Sequence, residues 1–463
     1  MKEDNNKDNT AVAKSEQQAV SQPVRQLSPG KVQEAFQGLY EFGGFSFLES
    51  FIEGIANMNP DRSTRKKLFL TESDKKYDRI ALLKNIKLWI EILSSSKDIN
   101  EMLEKCRAKS EVTNELLAAN QLAAVETVKD LERSYRTVML FYKNTEQDKV
   151  RNVTIMNASK EQITDLDNSR FIDFLAEEMK QYYDKLDLRM NYSLLVLPGY
   201  LGSKKVIHKW AKIAYSNKVM LITDFADLEK PDDVVDMFFT SNLTGGDTYL
   251  SNAMMCCNWL IGRGKYDELG ETDHLHVPPS SSLAGKMYST LMSQAAAGKK
   301  WGCLNEVDGV VYQLKKSELS HLENMGLVPC VNEYGGVLAC SSKTLFNGDD
   351  LGKQTYSVVR VFNYIFKVLC DFLNRRAFEN WNMATERDLR GQIVQFLDEI
   401  KGPTRLIERF QIIRFEQDKK QRDRIYLDIR ITPYFPAKSF IIKLDGSKGN
   451  DDVNWDNDFQ QEK

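Results

Sequence analysis

Four histidines and seven cysteines are the residues of this 463-residue chain best suited to metal or nucleophilic chemistry. His274 and His276, flanked by Glu271 and Asp273, form the one group with the composition of a metal site. Two His at i and i+2 would share a face of a strand and suit a first-row metal. No third, distant ligand is apparent, however, and Gly270 and Pro278-Pro279 make the segment read as a solvated polar loop. Cys256 and Cys257 could act as nucleophiles only as thiolates. They lie in the apolar run MMCCNWL, which reads as core on a helix over 249–260. Ala284-Gly285-Lys286-Met287 ends like a phosphate-binding loop, but Ser280 stands where the first Gly belongs and Met287 where a Ser or Thr would hold magnesium. No G-x-S-x-G or H-E-x-x-H occurs. The reading is of a protein without catalytic, cofactor or metal residues.

Charge excludes further classes. Lys and Arg number 63 against 66 Asp and Glu, a net charge of −3, which argues against a surface built to follow nucleic-acid phosphates. The cations of 401–430 (Lys401, Arg405, Arg409, Arg414 and others) are interleaved with Glu408, Glu416, Asp418, Asp423 and Asp428, which suits docking onto another protein. No apolar run reaches the ~18–20 residues of a membrane span, and residues 1–10 have no apolar stretch for a signal peptide. An odd cysteine count with no C-x-x-C pair reads as reduced thiols and a cytoplasmic location.

The elements that would position these groups follow from periodicity. Residues 1–30 are polar and read as a disordered tail. RKKLFLT at 65–71 reads as a lone strand that needs a sheet edge elsewhere. Apolar residues at three- and four-residue spacing predict a helix over 77–93 and another over 99–142, broken near Ser110, whose Leu131, Tyr135, Val138 and Tyr142 form one stripe. A strand at 153–156, a capping box at Ser159–Gln162, strands at 192–197 and 219–223 and a helix at 204–215 make an α/β layer. Toward the C-terminus come a helix over 355–374 and a second one opened by Thr385 and Asp388 and stopped by Gly402-Pro403. Strands follow at 410–415, 425–432 and 439–444, and in the second of them Ile425, Leu427, Ile429 and Ile431 share one face. The fold class is α/β (α+β).

The C-terminal third resembles the TssC/VipB family, the large sheath subunit of type VI secretion systems. Asn363-Tyr364-Ile365-Phe366-Lys367-Val368-Leu369 is similar to that family's HYIKVL helix; Trp381, Arg387-Asp388-Leu389 and Ile429-Arg430-Ile431-Thr432-Pro433-Tyr434-Phe435 follow in the family's order. Upstream, Leu131-Glu132-Arg133-Ser134-Tyr135-Arg136 resembles its LESAWRGL helix, with Tyr135 in place of Trp, and Asn157-Ala158-Ser159-Lys160 resembles NVSK. The resemblance covers about 100–445; 225–350 agrees only in outline, and the region before 95 differs.

The resemblance implies a contractile-tail-sheath-like fold and a structural role. Such subunits pair with a small TssB/VipA-like subunit and polymerise around an Hcp inner tube on a baseplate. They contract to propel effectors and are recycled by a ClpV-like disassembly ATPase, with no nucleic acid and no membrane insertion. The expected parts are a tail (1–30), an N-terminal arm and helical small-subunit-binding region (31–148), an α/β sheath body (149–350), C-terminal helices with a strand-exchange sheet (351–445) and an acidic flexible tail (446–463). Leu68, Phe69, Leu70, Phe410, Ile412, Ile425, Leu427, Ile429, Ile431, Phe440 and Ile442 are the expected inter-subunit strand residues. Leu131, Tyr135, Val138 and Tyr142 are the expected small-subunit face. The competing readings are a phage-tail-like sheath or baseplate protein, and a metal- or nucleotide-dependent α/β enzyme using the His274 region.

Overall fold

A computed structural model describes residues 68–145, 150, 152–185 and 188–438, and the backbone course of 441–447 and 453–460. Contacts divide the chain into two units, Met1–Ala124 and Val125–Lys463. In the first unit, α1 (Lys76–Ser95) and the start of α2 (Ile99–Asn144) enclose a small core of Ile92, Met102, Leu103 and Cys106. No Gly or Pro interrupts α2, so the break expected near Ser110 does not occur; Ser costs a helix only tenths of a kcal/mol. The strand expected at 65–71 is also corrected. Its described part, 68–71, is helical, with Glu72 N–H donating to Leu68 O (2.9 Å) and Arg79 Nη1 donating to Phe69 O (2.7 Å) and Glu72 O (2.6 Å). Residues 65–67 lie outside the described residues.

The second unit continues through α3 (Lys160–Thr164), α4 (Arg170–Tyr183), β1 (Leu194–Leu197), α5 (Lys204–Ser216), β2 (Met220–Asp224), α6 (Pro231–Ser241), β3 (Ala253–Cys257), β4 (Leu260–Arg263) and β5 (Leu275–Val277). It then runs through α7 (Ser280–Ser289), α8 (Gly298–Trp301), β6 (Cys303–Leu304), β7 (Gly309–Val310), α9 (Lys316–Asn324), β8 (Leu327–Glu333) and β9 (Gly336–Ala339). Its main sheet has the order β1-β2-β3-β8-β9-β6, parallel from β1 to β8 and antiparallel beyond. Every residue of β2 and β3 is buried. That burial explains the first correction in this unit: the helix expected at 249–260 is a 3-10 turn (Thr248–Asn252) followed by β3 and β4. A strand covered on both faces is apolar throughout and loses its period of two.

Three smaller corrections have local causes. Residues 153–156 make no strand; Thr154 Oγ1 and Tyr192 OH instead share a hydrogen bond of 2.6 Å. The His274 segment is a loop only as far as His274; Leu275–Val277, with His276, form β5, which pairs with β4 in a second sheet, β5-β4-β7. Ser280 begins helix α7 rather than extending a loop. The capping box at Ser159 and Gln162 forms as read, with bonds of 3.3 and 2.9 Å.

At the C-terminus, α10 (Tyr356–Arg375) and α11 (Met383–Glu399) form a hairpin. Asn382, not Thr385, caps α11: its Oδ1 accepts from Ala384 N (2.9 Å) and Thr385 N (3.0 Å), while Thr385 Oγ1 donates to Asn380 O (3.0 Å). The antiparallel pair β10 (Ile407–Gln417) and β11 (Ile425–Pro433) lays one face on this hairpin. The third expected strand does not join them. β12 (Ile441–Ser447) pairs instead with β13 (Val453–Gln460), which lies in the segment read as an acidic tail.

Candidate functional site

The groups that opened the sequence reading are held in structural roles. Cys256 and Cys257 are buried in β3, and burial pushes both thiols well up, away from the thiolate that a nucleophile needs. His274 Nδ1 accepts from Lys265 N–H (3.1 Å), and His276 Nδ1 lies 2.9 Å from Asp227 Oδ2. Among the described residues no group of three or more His, Cys, Asp and Glu could hold a metal. No helix there is long and apolar enough to cross a membrane. Gly285 belongs to a helix crossing, not a phosphate loop. A Cβ on it would lie 2.3 Å from Phe141 O, so glycine lets α7 approach the backbone of α2.

The LERSYR segment of α2 is bolted to the β4–β5 hairpin by charge. Arg263, on β4, reaches Glu271 with two bonds (2.8 and 3.1 Å) and Glu132 of α2 at 3.2 Å. Arg136 completes the set, bonding Glu132 (2.8 Å) and Gly262 O (2.8 Å), while Arg133 Nε donates to His276 O (3.0 Å). The Arg263 guanidinium holds the Glu271 carboxyl down at about 2, so the pair stays ionised. Gly262 is required here, since a Cβ would meet Val277 Cγ2 at 2.5 Å. Sequence reasoning missed this network; its only local signal is the i, i+4 spacing of Glu132 and Arg136.

Bolting by Glu132, Arg133 and Arg136 turns the neighbouring apolar stripe outward. Leu131 is 72% and Tyr135 66% exposed, whereas Val138 and Tyr142 are half-buried where Leu140 enters the core. The C-terminal residues divide differently. Phe410, Ile412, Ile425, Leu427, Ile429 and Ile431 pack against the chain's own α10 and α11, so their side chains are already used. The strand backbones are not. Apart from one bridge between Lys401 and Ile407, no described strand pairs with the outer rims of β10 and β11. A bulge leaves Ile413 without a ladder partner and 55% exposed, an outward apolar residue that the alternation did not single out. One cation of the outer face is locally partnered: Arg414 bonds Glu416 (2.8 Å) and lies 3.9 Å over the Tyr426 ring. Leu68 and Leu70 are exposed on a helical turn, so they offer no strand edge. Ile442 stands opposite Phe459 in the β12–β13 pair, and Phe440 lies outside the described residues.

Solved structures similar to this chain include the anti-feeding prophage helical sheath in its contracted state (16% identity, 67% of this chain and 81% of that one, TM-score 0.48). Two others are the anti-feeding prophage baseplate, six-fold symmetrised (15%, 65% and 84%, 0.45), and the sheath complex of the extracellular contractile injection system PVC in its contracted state (15%, 59% and 75%, 0.45). No curated protein matches the sequence. Three family models do match. The N-terminal region of TssC/VipB-like proteins covers residues 32–121, the central domain of type VI secretion system TssC/VipB covers 123–347, and the TssC/VipB-like C-terminal domain covers 355–461. Together they run almost the length of the chain, which belongs to the TssC/VipB family of type VI secretion systems.

Proposed function

We propose that this chain is the large, non-enzymatic subunit of a cytoplasmic contractile sheath. It pairs with a small TssB/VipA-like subunit, polymerises around an Hcp inner tube above a baseplate, contracts to propel effectors, and is recycled by a ClpV-like ATPase. The observation that carries this reading is the β10–β11 ladder, which is anchored on one face and, among the described residues, pairs with no further strand beyond the single Lys401–Ile407 bridge. An open rim is a template for a strand from another chain. Each added backbone bond contributes only ~0.5–1.5 kcal/mol, but a row of them survives rigid-body rotation when the linkers absorb the motion. Contraction then needs two packings of unequal stability and no nucleotide site in this subunit. The outward Leu131 and Tyr135 on α2 support a separate face for the small subunit.

The test is co-expression with a small-subunit homologue followed by negative-stain microscopy. Successive N–H groups of a strand point to opposite sides, so one of Ile429→Pro and Arg430→Pro removes a donor from the outer rim of β11. That variant is expected to co-purify with the small subunit yet form no tubes. Normal tubes from both variants would overturn the reading.

A further inference from the structure

The loop between α10 and α11 carries a feature that its own fold does not use. Phe378 is fully exposed and holds a left-handed backbone, φ +69°. Bulky residues rarely adopt that conformation, and it persists only where the surroundings impose it. Here they do. Arg376 bonds Glu379 (2.5 and 3.0 Å) and Asp388 (2.7 Å), and Trp381 packs edge-on against Phe415 of β10 at 5.4 Å. The loop is braced on both sides of the aromatic that it presents to solvent.

The same hairpin carries an open groove of about 230 Å³, its apolar wall made by Leu369 and Phe372 of α10 with Ile393 and Phe396 of α11, and its polar rim by Gln392, Gln395 and Glu399. That volume is below the ~300–1,000 Å³ of small-molecule sites and suits a side chain. Phe378 follows the groove's α10 wall by six to ten residues, roughly 9–15 Å at helical rise. Its full exposure shows that it does not fill the groove of its own chain.

We propose that Phe378 seats in the α10–α11 groove of a second copy of this chain. A knob and a hole at different places on one surface make a heterologous contact, which repeats from copy to copy without closing. One buried Phe covers only ~150–250 Å², far below the ~1,200 Å² of a stable interface. The contact therefore forms only where other contacts already hold two copies together, inside a polymer and not between free subunits. Trp381, three residues on, packs on Phe415, so the knob is continuous with the ladder whose rims are open. The contact rests on the sheath reading above and adds to it a side-chain lock beside the strand edges.

The experiment uses the full chain with the small subunit. Photo-crosslinking from p-benzoylphenylalanine at position 378 in assembled polymer is expected to capture, in another copy, peptides containing Val368–Phe372 or Gln392–Glu399. Crosslinks to any other protein or region, or none, overturn the contact while leaving the sheath reading intact. If the wild-type pair forms no polymer, both fall. Phe378→Gly is a second arm, because glycine relieves the positive φ. The free subunit should melt at an equal or higher temperature than wild type, while polymer yield falls several-fold. Unchanged polymer yield from Phe378→Gly would also overturn the proposal.

Discussion

The main sheet and the β10–β11 ladder are both built from apolar strands, yet they meet opposite fates. In the sheet, β2 and β3 are buried on both faces and bonded on both edges, with registers such as Ile222 to Met254 and Met255 to Leu327. In the ladder only one face is covered, by α10 and α11, and among the described residues no strand pairs with either rim beyond the Lys401–Ile407 bridge. A chain that satisfies all its own backbone groups gains stability there and has nothing left to offer a neighbour. One that leaves a row unsatisfied is guarded against indiscriminate pairing by charge on its outer face, here the exposed Glu408, Arg409, Asp428 and Arg430.

The strongest test of this contrast is a pair of matched truncations. Ile222→Ala in the sheet should cost ~2–5 kcal/mol, as a core deletion does, while Ile413→Ala at the ladder bulge should stay within ~0.5 kcal/mol. Urea unfolding of both variants reads the difference, and equal losses would erase the distinction. Next in size is Gly285→Ala, where a methyl group would press on Phe141 O. A loss of ~1–3 kcal/mol is expected by the same assay, because overpacking forces backbone to shift.

The third effect is a pH slope belonging to the sheet alone. Asp224, at the end of β2, is buried and accepts from Gly199 N (2.8 Å) and Ser280 N (2.8 Å), tying the exit of β1 to the start of α7. Burial outweighs those two donors and raises its carboxyl to about 7. Since the folded value lies above the unfolded one, this group's contribution is complete below about pH 4 and is lost as pH rises through 7. The slope is at most ~1.4 kcal/mol per pH unit. Asp224→Asn should remove it, so the gap in melting temperature between wild type and variant should shrink from pH 5 to pH 8. A constant gap would refute the assignment.

What could be read in advance followed local rules. The β1–α5–β2 succession, the Ser159 capping box and the one-sided face of β11 were legible, because each depends on spacing within a dozen residues. β3 was not, since full burial removes the alternation that distinguishes a strand from a helix. The same limit hid Asn382, because a cap is chosen by tertiary placement from several competent residues. For the candidate site, sequence placed strands where β10 and β11 lie, but it added a third at 439–444 that pairs elsewhere and did not show the division within the pair. Ile425 to Ile431 are spent on the chain's own hairpin, and what remains open is backbone, which carries no residue-type signal. The Glu132–Arg263 bond joins positions 131 apart, beyond the reach of periodicity.

The two rims of the ladder are unlike: one is the edge of β10 and the other the edge of β11, and they run in opposite chain directions. A stack in which the β10 rim of each copy pairs with the β11 rim of the next would end with a β10 edge at one terminus and a β11 edge at the other. The termini of such a stack would be chemically distinct, so a stack built this way would grow with a direction and offer a capping protein two different ends.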